Sequence, residues 1–181
     1  MSKSHQASRL NMQAFASEGV PLVETTLLQD MARLAQEAQG LQPDSPVRWQ
    51  ASAEMRPGSG TGEDIWLHLQ AQTSLPLICQ RCMGTVVVPL EVGQWYRFVA
   101  SEEIAMVQDD ESEEDLLVME PQFDLLAVLE DELLMALPLV PMHDECPAAP
   151  VMRAGEGAPA GETEGKPNPF AVLSGLKKKS G

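Results

Sequence analysis

Between Arg97 and Arg153 the sequence contains neither lysine nor arginine, yet this gap holds fifteen of the chain's 27 aspartates and glutamates. The other twelve acids match the 12 basic residues, so the formal charge of -15 is concentrated in one stretch. Nucleic acids are bound largely by cations that displace phosphate counterions, and a belt without cations disfavours tight RNA or DNA binding by the body of the chain. Cysteine is nearly as scarce. Three residues, an odd number, cannot form a disulfide scaffold and suit a reducing compartment. No apolar run approaches the ~20 residues of a membrane span, and Met1 to Leu10 has no signal-peptide core. The expectation is a soluble, unexported, cytoplasmic protein with no membrane contact. Aromatic residues are only 4% of the chain, but a hydrophobic content of 44% supplies a core and excludes wholesale disorder.

The familiar catalytic signatures are also missing. There is no Gly-x-Gly-x-x-Gly, no phosphate-binding Gly-Lys-Ser/Thr loop and no Gly-x-Ser-x-Gly elbow. His5 lies near the terminus and His68 on the polar face of an expected strand, neither with a nucleophile in view. Asp131 and Glu132 are neighbours on an expected helix and point in different directions, so they cannot share a reaction centre. The expectation is a non-enzymatic α+β protein, not an enzyme.

What is present gives the fold. Leu27, Leu28, Met31, Leu34, Ala35 and Ala38 recur at helical spacing, with Thr26 and Gln29 as a capping box and Gly40 as a stop, which predicts a helix over 27–39. Val47, Trp49, Ala51, Ala53 and Met55 alternate with polar residues and predict a half-buried strand. A Gly-rich turn over 57–62 leads to a second alternating run from Ile65 to Thr73, and valine-rich residues 85–98 supply a third, with Gly93 read as a bulge. The result is an antiparallel β meander packed against an N-terminal helix. After an acidic loop over 100–115, Leu116 to Met119 reads as a short edge strand. Residues 123–137 read as a hydrophobic helix, N-capped by Asp124, stapled by Phe123 and Val128 and stopped by Pro138. Glu130, Asp131 and Glu132 fill its one polar arc. Three consecutive residues span roughly 200°, so one of these carboxylates must approach the core and needs an arginine or a backbone donor.

The expected organisation is therefore a flexible segment over 1–21, a single domain over 22–146, a Pro/Gly/Ala-rich linker over 147–169 and an apolar-basic motif over 170–181 in a disordered tail. Within that motif Phe170, Leu173, Leu176, Lys177, Lys178 and Lys179 are the candidate partner-binding residues. The motif either docks on a partner or folds back onto its own domain. The acidic run over 102–115 likewise has two readings, a solvated loop that aids solubility or an attractor for a basic protein.

One pattern carries metal chemistry. Cys79-Gln80-Arg81-Cys82 lies between two strands, so it lacks the helix N-terminus on which a redox Cys-x-x-Cys relies. Such spacing at a hairpin suits half a tetrahedral zinc site, and His143 with Cys146 offers a second pair just beyond the long helix. Cys79, Cys82, His143 and Cys146 are thus candidate ligands of a structural zinc; the other reading is two reduced thiols packing a tight turn.

Three segments together resemble the YceD family of bacterial large ribosomal RNA subunit accumulation proteins. They are Cys79-Gln80-Arg81-Cys82, the helix from Phe123 to Leu134 running through Pro138-Leu139-Val140-Pro141 to Asp144, and Lys166 to Lys177 with its Asn168-Pro169-Phe170 core. The resemblance runs from about Leu75 to the end of the chain. It implies a cytoplasmic factor acting in synthesis, processing or stability of the large-subunit (23S) ribosomal RNA, and hence in ribosome assembly, with no catalytic residues. The partners implied are ribosomal proteins or an assembly factor, with the basic tail touching the RNA. The competing expectation is a zinc-stabilised acidic adaptor without a ribosomal role.

Overall fold

The computed structural model describes residues 6–40, 44–58 and 62–147. The chain divides into units at Met1–Ala148 and Ala149–Gly181, and the described residues belong to the first. Its elements in order are α1 (Met12–Glu18), β1 (Leu22–Leu27), α2 (Ala32–Glu37), β2 (Pro46–Pro57), β3 (Glu63–Ile78), β4 (Thr85–Val99), α3 (Glu102–Gln108), β5 (Asp115–Val118) and α4 (Leu125–Met135).

The period-two segments form the sheet. Strands β1 to β4 are an antiparallel meander in spatial order β1-β2-β3-β4-β5, and β5 adds to β4 in parallel through the connection that contains α3. The class is α+β. Val47, Trp49, Ala51 and Ala53 of β2 and Ile65, Leu67, Leu69 and Ala71 of β3 are buried on one face, where Leu125, Leu129 and Leu133 of α4 also lie in the core. The valine, isoleucine and leucine side chains among them contribute roughly 1.5–3 kcal/mol each on burial, which makes this face the main source of stability. Pro76 and Pro89 sit inside long strands, but β2 pairs with β3 only as far as Gln72 and β5 pairs with β4 only from Tyr96 on. Each proline therefore lies where its strand has an open edge and its missing donor costs little.

Four expectations need correction. Within the segment over 1–21 expected to be flexible, the described residues 6–21 are packed on the domain: Leu10, Met12 and Phe15 are fully buried, and Leu10 exchanges backbone hydrogen bonds of 2.8 and 2.9 Å with Phe123. Asn11 caps α1 by accepting from the Ala14 N–H at 2.9 Å, and Gly19 ends it at a left-handed φ of 62°. The helix expected over 27–39 is shorter and preceded by a strand, because Thr25, Thr26 and Leu27 pair with Arg48, Val47 and Pro46. The Thr26 hydroxyl accepts from Trp49 Nε1 at 3.0 Å, so it serves the sheet rather than a capping box. No bulge occurs at Gly93, since the β3–β4 register runs unbroken from Trp66↔Arg97 to Ile78↔Thr85. The acidic segment over 100–115 is not a plain loop, for it contains α3 and a 3-10 turn at Asp109–Glu111.

The edge strand and the hydrophobic helix are found close to their expected places. Asp124 caps α4 by accepting from Ala127 N–H at 3.1 Å, and Phe123 meets Phe98 edge to face at 5.0 Å. The carboxylate that the helix places at the core boundary is Glu130, which reaches the N-terminus of α2. No helix among the described residues is long and apolar enough to cross a membrane.

Candidate metal centre

Strand β3 ends at Ile78, and the chain reverses through Cys79 to Gly84 before Thr85 opens β4. Two backbone bonds close this turn: Cys79 N–H to Gly84 O at 2.8 Å, and Met83 N–H to Cys79 O at 2.9 Å. Met83 adopts a left-handed φ of 60°, the conformation that lets so short a turn bring both cysteines to one side. The segment leaving α4 crosses this turn. Gln80 N–H donates to Pro141 O at 2.9 Å, and the Arg81 guanidinium donates to the carbonyls of His143 and Asp144.

These contacts bring the sequence-predicted ligands together. The ligand atoms of Cys79, Cys82, His143 and Cys146 all lie within 4.8 Å of one another. Cys79 Sγ is 3.8 Å from Cys146 Sγ, and Cys82 Sγ is 3.5 Å from His143 Nδ1. Ligands about 2.3 Å from a tetrahedral zinc stand about 3.8 Å apart, so the spacing suits such an ion. It is far outside the ~2.05 Å of a disulfide, and all three cysteines are free. His143 Nε2 faces the Thr85 carbonyl at 3.0 Å. A proton on Nε2 satisfies that carbonyl and leaves the Nδ1 lone pair directed at the cluster, the arrangement by which a backbone oxygen fixes a ligand tautomer.

The electrostatics of the four positions differ. Burial pushes the Cys79 thiol up, but the backbone N–H groups of Cys82, His143 and Arg81, with the His143 side chain, outweigh it and lower Cys79 to about 5. Cys146 is raised to about 11 by burial and by its hydrogen bonds with Cys82 and Cys79. N–H groups aimed at a sulfur stabilise a thiolate, the form that binds a metal. The cluster could hold a metal ion. All four donors converge on one point, which resembles a closed structural site more than a catalytic one.

Sequence reasoning named the four residues that cluster but not their supports. Arg81, Thr85 and Pro141 act through backbone carbonyls or reach across to them, and carbonyls leave no compositional signal. It also missed a cluster on the outer face of the sheet. There the Arg56 guanidinium lies 4.4 Å from the Trp66 ring and 4.3 Å from Trp95, while His68 stacks on Trp95 at 4.3 Å and 6°. His68 and Trp95 are cross-strand partners, so their polar-face positions were readable but their stacking was not. Trp66 meets Trp95 edge to face at 6.4 Å. Nearby, a groove of about 650 Å³ runs over Arg48, Gln50, Gln70, Gln72 and Glu91, where Gln50 Nε2 donates to Gln70 Oε1 at 2.7 Å. The tail residues Phe170, Leu173, Leu176, Lys177, Lys178 and Lys179 lie outside the described residues.

Comparison with known proteins adds a family. Residues 67–177 match the family described as "Large ribosomal RNA subunit accumulation protein YceD". A curated relative of that name from Haemophilus influenzae is 38% identical over 119 residues, covering 61% of this chain and 64% of the relative's length. No solved structure matches. The family match takes in β4, α4, both halves of the Cys/His cluster and the Asn168-Pro169-Phe170 motif, and the chain belongs to the YceD family.

Proposed function

We propose that this protein is a cytoplasmic, non-enzymatic factor that supports accumulation of the large-subunit ribosomal RNA, and with it ribosome assembly. The observation that carries the reading is the family match over residues 67–177, together with the name of the relative from Haemophilus influenzae. Three features of the chain support it. The Cys79, Cys82, His143 and Cys146 cluster takes one structural zinc, which pins the exit of α4 onto the β3–β4 hairpin; its role is to hold shape, because its four donors leave no position for a substrate. The acidic residues of the stretch without lysine or arginine attract basic ribosomal proteins or an assembly factor rather than RNA. Phe170, Leu173 and Leu176 supply apolar anchors to such a partner, and Lys177, Lys178 and Lys179 touch the RNA locally.

The test is a sucrose gradient of lysates with and without the protein, probed for the tagged chain and for large-subunit RNA. The chain should travel with precursor large particles, and its loss should lower that RNA selectively. A chain that stays at the top of the gradient, with unchanged RNA, refutes the reading and leaves a zinc-stabilised acidic adaptor in its place. Deleting Pro169 to Gly181 should abolish function while leaving the thermal transition of the domain unchanged. Full complementation by the truncated chain would remove the tail from the proposal.

A further inference from the structure

Helix α3 is fastened to the sheet in an unusual way. Its inward positions are Ser101, Ala105 and Gln108, all half-buried, whereas Ile104, Met106 and Val107 are 39%, 71% and 77% exposed. A surface helix ordinarily buries its apolar stripe and turns its polar residues to water. Here the order is reversed, and the cause is Arg97. This arginine, only 12% exposed, donates from Nε to Glu114 at 2.6 Å, from Nη1 to Gln108 at 2.9 Å and from Nη2 to Ser112 at 2.8 Å, and pairs with Asp64 at 3.5 Å. Four polar partners on one largely covered cation anchor the helix and the turn after it by their polar side. The apolar side is left in solvent, on an element held in place.

That face is rimmed by one sign of charge. Glu102 and Glu103 precede the apolar residues and Asp109, Asp110 and Glu111 follow them, all exposed, while Arg97 is already engaged by carboxylates. Large apolar side chains fixed on the surface mark an interaction site, and an acidic rim selects against phosphate and against a second copy of an equally acidic chain. We infer that Ile104 and Val107, one turn apart on the same side of α3, with Met106 on the adjoining flank, form the docking face for a basic protein segment, one that presents apolar side chains between lysines and arginines. The methionine suits such a role because its unbranched, polarisable side chain adapts to differing partners. The inference deepens the proposed function, on which it rests for the partner's source in the cell, a lysine- and arginine-rich ribosomal protein.

A fluorescein-labelled lysine–leucine peptide, with leucines at helical spacing, serves as the probe for the full chain. Fluorescence anisotropy should report binding that weakens with salt and falls about tenfold in the Met106→Ser, Val107→Ser double variant, the loss expected when two apolar contacts go. Val87→Ser, at another exposed valine, on β4 and away from α3, should bind as the parent does. Three results would each overturn the inference: unchanged peptide binding by the double variant, an equal loss in Val87→Ser, or binding of a labelled uridine oligonucleotide through Met106 and Val107. The peptide assay involves no ribosome, so it decides the surface independently. If loss of the parent chain leaves large-subunit RNA unchanged, the ribosomal reading fails while the peptide result stands. If the parent restores that RNA and the double variant does so equally, the docking face is refuted and the ribosomal reading survives.

Discussion

Replacing Glu130 with alanine removes the acceptor that closes the N-terminus of α2. That helix begins after Met31, whose side chain cannot cap, and Glu130 arrives from α4 in its place. Its Oε1 accepts from the Arg33 N–H at 2.7 Å and the Leu34 N–H at 3.1 Å, and its Oε2 pairs with the Arg33 guanidinium at 3.0 Å. The carboxylate is 12% exposed and Arg33 50%, so the two backbone bonds matter more than the ion pair, which solvent screens. Losing a helix cap costs ~1 kcal/mol, and hydrogen bonds to a charged group are worth somewhat more, which gives about 2 kcal/mol for Glu130→Ala. For a domain of this size that is a fall of about 8 °C in Tm. Glu130→Gln keeps an acceptor and should fall by about half as much. Asp131→Ala, which loses a half-exposed pairing with the same arginine, should shift Tm by less than ~2 °C.

The effect has a pH signature. Burial pushes the Glu130 carboxyl up, but the N–H groups of Leu34 and Arg33 and the Arg33 guanidinium prevail and hold it below the ordinary carboxylate range. A carboxyl whose folded pKa is depressed stabilises the fold above its unfolded pKa of about 4.3, and that contribution disappears as pH falls through the folded value. The Tm gap between parent and Glu130→Gln should therefore be constant near neutrality and narrow on acidification below about pH 4.3. Calorimetry across this range checks both magnitude and sign. An alanine variant melting with the parent, or a gap that widens in acid, would show that α2 does not depend on this cap.

Three further outcomes follow from the same geometry. The full chain purified without a histidine tag should carry about one zinc by metal analysis, and Cys82→Ser or Cys146→Ser should abolish it; a chelator should speed amide exchange over 79–85 and 139–147 but not in the middle of β2. Arg97→Ala strands Glu114 and Asp64 and should cost about 2 kcal/mol by urea unfolding, with exchange in α3 rising most; protection of α3 equal to the parent would show that Arg97 is not its anchor. Gly93 lies in unbroken register, has no positive φ and would place a Cβ in open space, so Gly93→Thr should stabilise the sheet by roughly 0.5–1 kcal/mol; destabilisation would point to an irregularity in β4.

The parts of this fold that the sequence discloses are those whose cause is local. Strands β2 and β3 are legible because each residue's neighbour two places on shares its face, and α4 because Asp124 caps it three residues from the N–H it serves. Where the cause is distant, local reading misplaces the element. Thr26 looks like a cap because nothing nearby tells that Trp49 will use its hydroxyl, and α2 looks unsupported because its acceptor, Glu130, stands 97 residues away. The Cys/His cluster is intermediate. The cysteine spacing is local and was readable, but its closure needs the β3–β4 turn and the exit of α4 to cross, joined by Gln80 and Pro141 through backbone atoms that composition cannot register. Helix α3 is the extreme case. By its own pattern it should have turned Ile104 and Val107 inward, yet one arginine from β4 with four partners on three segments reverses it. A local preference overridden at this cost in exposed apolar surface is a conflict between levels of structure, and such conflicts concentrate where a surface serves something outside the fold.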